Sequence, residues 1–306
     1  METRTSTRRQ RWVAMAASVA LVYAVFSPSM DNFDAMLTGT VGNRSLQVPP
    51  LEPKPNMLLF VLDQWRYDWD GMTGDTPTGA NPLNMPFLKE AAKKGVRFTQ
   101  AYVPSPLCAP VRACLASGKE YDECGVILNR ADSWPVEQDT FYKLMRDQQD
   151  FQIFSCGKDD LYHNDVNFPF FPNLGSEGAI DLGFTNAMRS AGKHKVTREG
   201  EDVNRWDRYR TFLNDARVGN GTKEVAYDVY KDCFDGLVDG TKGNLCTADK
   251  FTSKIYPDDF VANEAIQLLE KREPKKPWYM QVNFPGPHAP EVRQRRNCRK
   301  ILLRRY

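Results

Sequence analysis

Apolar residues along this chain fall into short continuous runs that stop at polar pairs, with amphipathic stretches between them. Asn56 to Leu62 is one such run, and it ends in Asp63-Gln64. Phe151 to Cys156 is a second, ending at Gly157-Lys158; Pro277 to Phe284 is a third, leading into Pro287-His288-Ala289-Pro290. The continuously apolar character of the first predicts a strand buried on both faces of a parallel sheet, and the other two read as further strands. Val96 to Tyr102 reads as a further strand. Met85 to Gly95 predicts an amphipathic helix, with Pro86 in its first turn and Gly95 at its end. Asp258 to Lys271 predicts another, its acids in the first turn and its base at the close, as the helix dipole favours. Strands alternating with helices predict an α/β fold with a mostly parallel central sheet flanked by helices. In open sheets of that kind ligands gather beyond the carboxyl ends of the strands, which is where Asp63 and Gln64 fall.

The two ends of the chain depart from this pattern. Arg8, Arg9 and Arg11 precede an uncharged, mostly apolar stretch from Trp12 to Phe26, and Ser27-Pro28-Ser29 offers small residues for cleavage. Residues 1–30 therefore read as a signal peptide, with an uncleaved signal anchor as the alternative, because the apolar stretch is short for a bilayer span. Residues 31–54, with Pro49, Pro50 and Pro53, read as an extended linker. Residues 55–292 form the expected domain, and 293–306 a basic tail of six Arg and one Lys without an acid. The tail contributes +7 and residues 1–11 contribute +3 to a net charge of +2, leaving −8 for residues 12–292. So acidic a body excludes a broad nucleic-acid surface. The seven cysteines and the sequons at Asn43 and Asn220 suit a secreted or luminal glycoprotein.

The chemistry concentrates at Cys108-Ala109-Pro110-Val111-Arg112, followed by Ala113-Cys114-Leu115-Ala116-Ser117-Gly118-Lys119. This stretch resembles the signature of type I, formylglycine-dependent sulfatases. Asp63-Gln64 resembles that family's first metal-binding segment, Gly157-Lys158 its sulfate-binding Gly-Lys, and His288-Ala289-Pro290 the His-x-Pro turn whose histidine reaches the leaving-group oxygen. The four motifs run in the family's order over roughly residues 53 to 292. Two features differ. Asp159-Asp160 stand where many members carry x-His, with His163 three residues beyond. That Gly-Lys-x-Asp run is similar to the arylsulfatase K (glucuronate sulfatase) branch. The family also takes further metal ligands from a downstream Asp-Asn or Asp-His beside a glycine, and the chain reaches Tyr306 without one. The expectation is an N-terminal, incomplete catalytic domain of the alkaline-phosphatase-like α/β fold.

The resemblance implies a division of labour. Cys108 is oxidised during secretion by the formylglycine-generating enzyme, leaving six cysteines. Its aldehyde hydrate then attacks the sulfur of a sulfated sugar or small sulfate ester. Asp63, Gln64 and residue 108 hold a hard divalent cation, Ca²⁺ by expectation. Arg112, one helical turn after Cys108 in a helix over 109–117, turns back toward the hydrate. Lys119 and Lys158 balance the sulfate's charge, Asp160 and His163 border the substrate, and His288 protonates the departing oxygen. The aperiodic region from about 164 to 255 is expected to be an insertion with short helices lining the entrance. Two other readings stand beside this one. A phosphoester hydrolase of the same superfamily usually has Ser or Thr at position 108 and a histidine-rich zinc pair, whereas this chain has three histidines. A catalytically silent, glycan-binding fragment is the other.

Overall fold

The computed structural model describes residues 54–66, 69, 71–72, 83–129, 135, 138–161, 182–190, 192–193, 196, 207–218, 224–238 and 255–288. The expected leader and most of the linker, Asn43, Asn220, His163 and the basic tail lie outside the described residues. No helix among the described residues is long and apolar enough to cross a membrane. In chain order the elements are β1 (Met57–Asp63), α1 (Pro86–Lys94), α2 (Cys108–Ser117), α3 (Phe141–Gln149), β2 (Gln152–Gly157), β3 (Asn186–Arg189), α4 (Arg208–Asp215), β4 (Arg217–Val218), β5 (Glu224–Val225), α5 (Ala226–Val238), α6 (Pro257–Glu270) and β6 (Trp278–Pro287).

Four strands form the central sheet in the order β1-β6-β2-β3, every neighbouring pair parallel. The three apolar runs thus become three adjacent strands, and the α/β class holds. Side chains alternate between faces along a strand, so the register decides what each face carries. Val61, Asn283, Gly157 and Arg189 lie in one row across the sheet. On one face, Phe154, Cys156, Met280 and Val282 pack against Phe260, Val261 and Leu268 of α6, with Tyr209, Leu213 and Tyr230 beyond. On the other, Leu59, Val61, Ile153 and Tyr279 pack against Ala109, Ala113 and Ala116 of α2 and Tyr142 of α3. A fully buried side chain such as Ile153 or Leu213 contributes roughly 1.5–3 kcal/mol through its removal from water.

Helix ends are fixed locally. Thr140 caps α3 by accepting the Lys143 N–H at 3.1 Å, and Asp207 caps α4 by accepting from Tyr209 at 2.8 Å and Arg210 at 3.2 Å. α2 has no such residue before it. Instead the Asn129 side chain accepts the Ala109 N–H at 2.9 Å, so a distant loop satisfies one of the helix's orphan donors. Gly118 ends α2 in the left-handed conformation, φ +68°.

Two expectations are corrected. Val96 to Tyr102 is irregular and well exposed, Tyr102 at 89%. An apolar run becomes a strand only when a neighbour pairs with it, and no strand among the described residues does. The described part of 164–255 is not an excursion lining an entrance. It supplies β3, an integral sheet strand, and α4 and α5, whose Tyr209, Leu213 and Tyr230 are fully buried in the core.

Candidate active site

β1, β2 and β6 all run in one direction, so Asp63, Gly157 and the Asn283–Pro287 segment emerge together at their carboxyl ends. α2 begins there, with Cys108 as its first residue. Cys108 Sγ lies 3.5 Å from Asp63 Oδ1. Lys158 Nζ donates to Asp63 Oδ2 in a short, buried contact. Arg112 is buried rather than solvated: it donates to Asn283 Oδ1 at 3.0 Å and approaches Asp63 Oδ2 at 3.8 Å and Asp160 Oδ2 at 3.9 Å. Lys158 also lies 3.4 Å from Asp160. Asp63, Cys108 and His288 offer ligand atoms that all lie within 4.8 Å of one another. Residues far apart in the chain therefore meet at one point.

Glycine and backbone geometry explain how Lys158 arrives there. Gly157 has φ +100°, and a Cβ on it would sit 2.1 Å from the Asn283 carbonyl oxygen. Only glycine lets β2 turn here so close to β6. Gln64 at φ +61° and Asp160 at φ +50° are also left-handed, a conformation non-glycine residues adopt rarely. Gln64 occupies the turn after β1, beside Asp63, with its side chain exposed.

The electrostatics follow from burial and pairing. Burial pushes the Asp63 carboxyl up, but Lys158 and Arg112 outweigh it and hold the group below its ordinary value. Burial likewise disfavours charge on Lys158, yet Asp160 and Asp63 overcome it and keep the ammonium charged above the usual lysine range. Cys108 goes the other way: burial, reinforced by Asp63 and Asp160, raises its thiol. An unmodified Cys108 is therefore a neutral thiol, a poor nucleophile.

Two carboxylates, Asp63 and Asp160, here face two cations, Lys158 and Arg112. Among the described residues the charges of these four side chains balance. The donors within reach of a cation are the hard carboxylate oxygen of Asp63, with Cys108 and His288 beside it and Gln64 adjoining in sequence. His288 nitrogen suits a proton donor better than a ligand for such an ion.

Of the expected site residues, Asp63, Cys108, Arg112, Lys158, Asp160 and His288 come together. Lys119 does not. It lies beyond the far end of α2, roughly 16 Å along the helix axis from Cys108, and its ammonium donates to Gln138 Oε1 at 3.0 Å. Gln138 in turn donates to the Cys124 carbonyl at 3.2 Å, so Lys119 braces the loop after α2.

Several contributing residues went unread in the sequence. Gln281 and Asn283 form a buried polar pair on one face of β6. Tyr142 and Tyr279 hydroxyls donate to Gln281 Oε1 at 2.7 and 3.0 Å, Gln281 Nε2 donates to Asn283 Oδ1 at 2.8 Å, and Asn283 Nδ2 donates to Ser155 Oγ at 3.3 Å. This chain fixes the carbonyl that receives Arg112. The signal was present as two polar residues at i and i+2 inside an otherwise apolar strand. Asp258, opening α6, accepts the Gly286 N–H at 2.8 Å and anchors the turn that carries His288.

Comparison with known proteins identifies the family. The Sulfatase family model matches residues 55–299. An arylsulfatase of Clostridium perfringens is 26% identical over 240 residues, 78% of this chain and 44% of its own. The N-acetylglucosamine-6-sulfatase of Capra hircus is 24% identical over 245 residues, 78% of this chain and 34% of its own. The solved phosphonate monoester hydrolase of Agrobacterium radiobacter aligns over 80% of this chain and 44% of its own, with 20% identity and a TM-score of 0.49. The chain thus spans less than half the length of the curated relatives it matches.

Proposed function

The chain belongs to the sulfatase family, and we propose that its activity is hydrolysis of sulfate monoesters, carried by residue 108 after conversion to formylglycine. The meeting of Cys108, Arg112, Asp63, Lys158 and His288 at the carboxyl ends of three parallel strands is the observation that carries this reading.

Formylglycine supplies an aldehyde hydrate: one hydroxyl attacks sulfur and the other expels sulfate as the carbonyl reforms. Asp63, Gln64 and residue 108 would hold a divalent cation, for which we propose Ca²⁺, and it would supply positive charge to the sulfate oxygens. Arg112, oriented by Asn283, points its guanidinium at the same region and steadies negative charge beside residue 108. Lys158 neutralises the sulfate while Asp63 and Asp160 keep it protonated. His288 delivers a proton to the departing alcohol oxygen, which otherwise leaves as a costly alkoxide. The α2 N-terminus adds its dipole to the anion's stabilisation.

We propose a sulfated sugar as the substrate class; the relatives named for N-acetylglucosamine-6-sulfate support it. The Gly157-Lys158-Asp159-Asp160 run supports the arylsulfatase K-like branch as the finer reading. A secretory route and modification by the formylglycine-generating enzyme accord with the basic, then apolar N-terminus. The test compares aryl sulfate with aryl phosphate hydrolysis, with Ca²⁺ and after chelation. Sulfate cleavage that chelation abolishes is expected; preferential phosphate cleavage favours a phosphoester hydrolase instead, and loss of both with retained glycan binding favours a silent fragment.

A further inference from the structure

Cys114 and Cys124 are both thiols, both buried, and their sulfurs lie 3.5 Å apart. Cys114 projects from α2 into the core, and Cys124 lies in the loop that follows, its thiol donating to the Tyr121 carbonyl at 3.3 Å. Bringing two sulfurs from van der Waals contact to the bonded distance of about 2.05 Å takes only a modest closure. Two further cysteines, Cys156 and Cys108, stand apart. Cys156 lies on the opposite face of the sheet and donates to the Val261 carbonyl at 3.3 Å. Cys108 faces Asp63, and Cys114 lies six positions after it along α2, a spacing that does not share a helix face.

We propose that Cys114 and Cys124 form a disulfide that staples the far end of α2 to its following loop and leaves Cys108 as the unpaired thiol of this segment. The oxidant is a glutathione-type disulfide. The thiolate of one cysteine attacks it, forming a mixed disulfide and releasing one glutathione thiol. The second cysteine then displaces the second glutathione from the first, so two electrons pass from the protein sulfurs to glutathione and two protons leave with them. Burial pushes the Cys114 thiol up to about 12, which slows exchange in the folded chain, so the bond forms during folding and resists reduction afterwards. The consequence bears on the proposed function, on which this inference rests only for the fate of Cys108. In an oxidising compartment three cysteines within one short segment compete for pairing, and a 114–124 bond removes the two that could capture residue 108 before its conversion.

Trypsin cleaves after Arg97, Arg112, Lys119 and Arg130, placing the three cysteines on separate peptides, 98–112, 113–119 and 120–130. The chain is refolded with reduced and oxidised glutathione, blocked with iodoacetamide, digested and weighed without reduction. Peptides 113–119 and 120–130 are expected as one linked species, two hydrogens lighter than their sum, with 98–112 alkylated. Reduction of the folded protein is expected to lower Tm by about 5 °C, with no shift in a Cys114→Ser/Cys124→Ser variant. Alkylation of both cysteines, or linkage of 98–112 to either peptide as the main product, overturns the proposal. Sulfate ester hydrolysis, assayed separately, reports on the proposed function alone: a linked chain without turnover leaves the staple standing and removes the enzyme reading.

Discussion

The two faces of the central sheet carry similar bulk but opposite chemistry. Toward α6 the strands present Phe154, Cys156, Met280 and Val282, met by Phe260, Val261 and Leu268. Toward α2 and α3 the same strands begin apolar with Leu59, Ile153 and Tyr279 and turn polar at Ser155, Gln281, Asn283 and Asp63 as they near their carboxyl ends. One face is an ordinary core. The other grades from core into site over a few residues, and every polar group added on the way has a hydrogen-bond partner. A buried amide without partners costs free energy, so Gln281 and Asn283 persist because each donates and accepts. The difference teaches that this site is built on rigid strands and borrows its orientation from the sheet itself.

The contrast breaks most sharply at position 108. Cys108→Ala is expected to lower sulfate ester turnover by about 10³-fold or more, while circular dichroism and Tm stay near the parent values, since a half-buried thiol contributes little packing. Lys158→Met comes next. It leaves Asp63 buried without its closest cationic partner, costing about 3–5 kcal/mol of stability and, through lost sulfate neutralisation, about 10²-fold or more in kcat. This deficit depends on pH. Asp63 holds a depressed value in the folded parent, so its charge favours the fold above the ordinary carboxylate range and that contribution disappears as pH falls through the depressed value. The variant's disadvantage in urea unfolding is accordingly greatest near neutrality and shrinks in acid, where Asp63 takes up a proton.

Variants on the opposite face sharpen the comparison from the other side. Met280→Ala removes a buried side chain and is expected to cost about 2–5 kcal/mol, with kcat of the folded fraction unchanged. Asn283→Ala frees Arg112 and leaves Gln281 short of a partner, for about 1–3 kcal/mol and a fall in kcat larger than any change in KM; Asn283→Asp, which keeps the accepting oxygen, restores part of the rate. Lys119→Ala, remote from Cys108, is expected to stay within about 0.5 kcal/mol and to leave turnover untouched.

What could be read from the residues alone follows the same division. β1, β2, β6, α1, α2 and α6 were legible because largely apolar runs and stretches opened by Pro or closed by Gly state local structure directly. Asp63, Cys108, Arg112, Lys158, Asp160 and His288 were legible because each adjoins such an element in a recognisable motif. β3 was not, since Asn186–Arg189 is short and polar and becomes a strand only by pairing with β2. Val96–Tyr102 failed in reverse, with strand character but no strand pairing with it among the described residues. Lys119 misled because nearness in sequence to Cys108 is distance in space once a helix of ten residues intervenes. Asn283 escaped because its role exists only in the fold, where it faces an arginine 171 positions away.

The central claim is most directly tested by weighing tryptic peptide 98–112 from the chain produced in a cell that makes formylglycine. The account predicts that residue 108 carries an aldehyde, its sulfur replaced by oxygen, and that the peptide reacts with a carbonyl-specific hydrazine. A peptide bearing only intact sulfur, as thiol or disulfide, in material that still hydrolyses sulfate esters contradicts it.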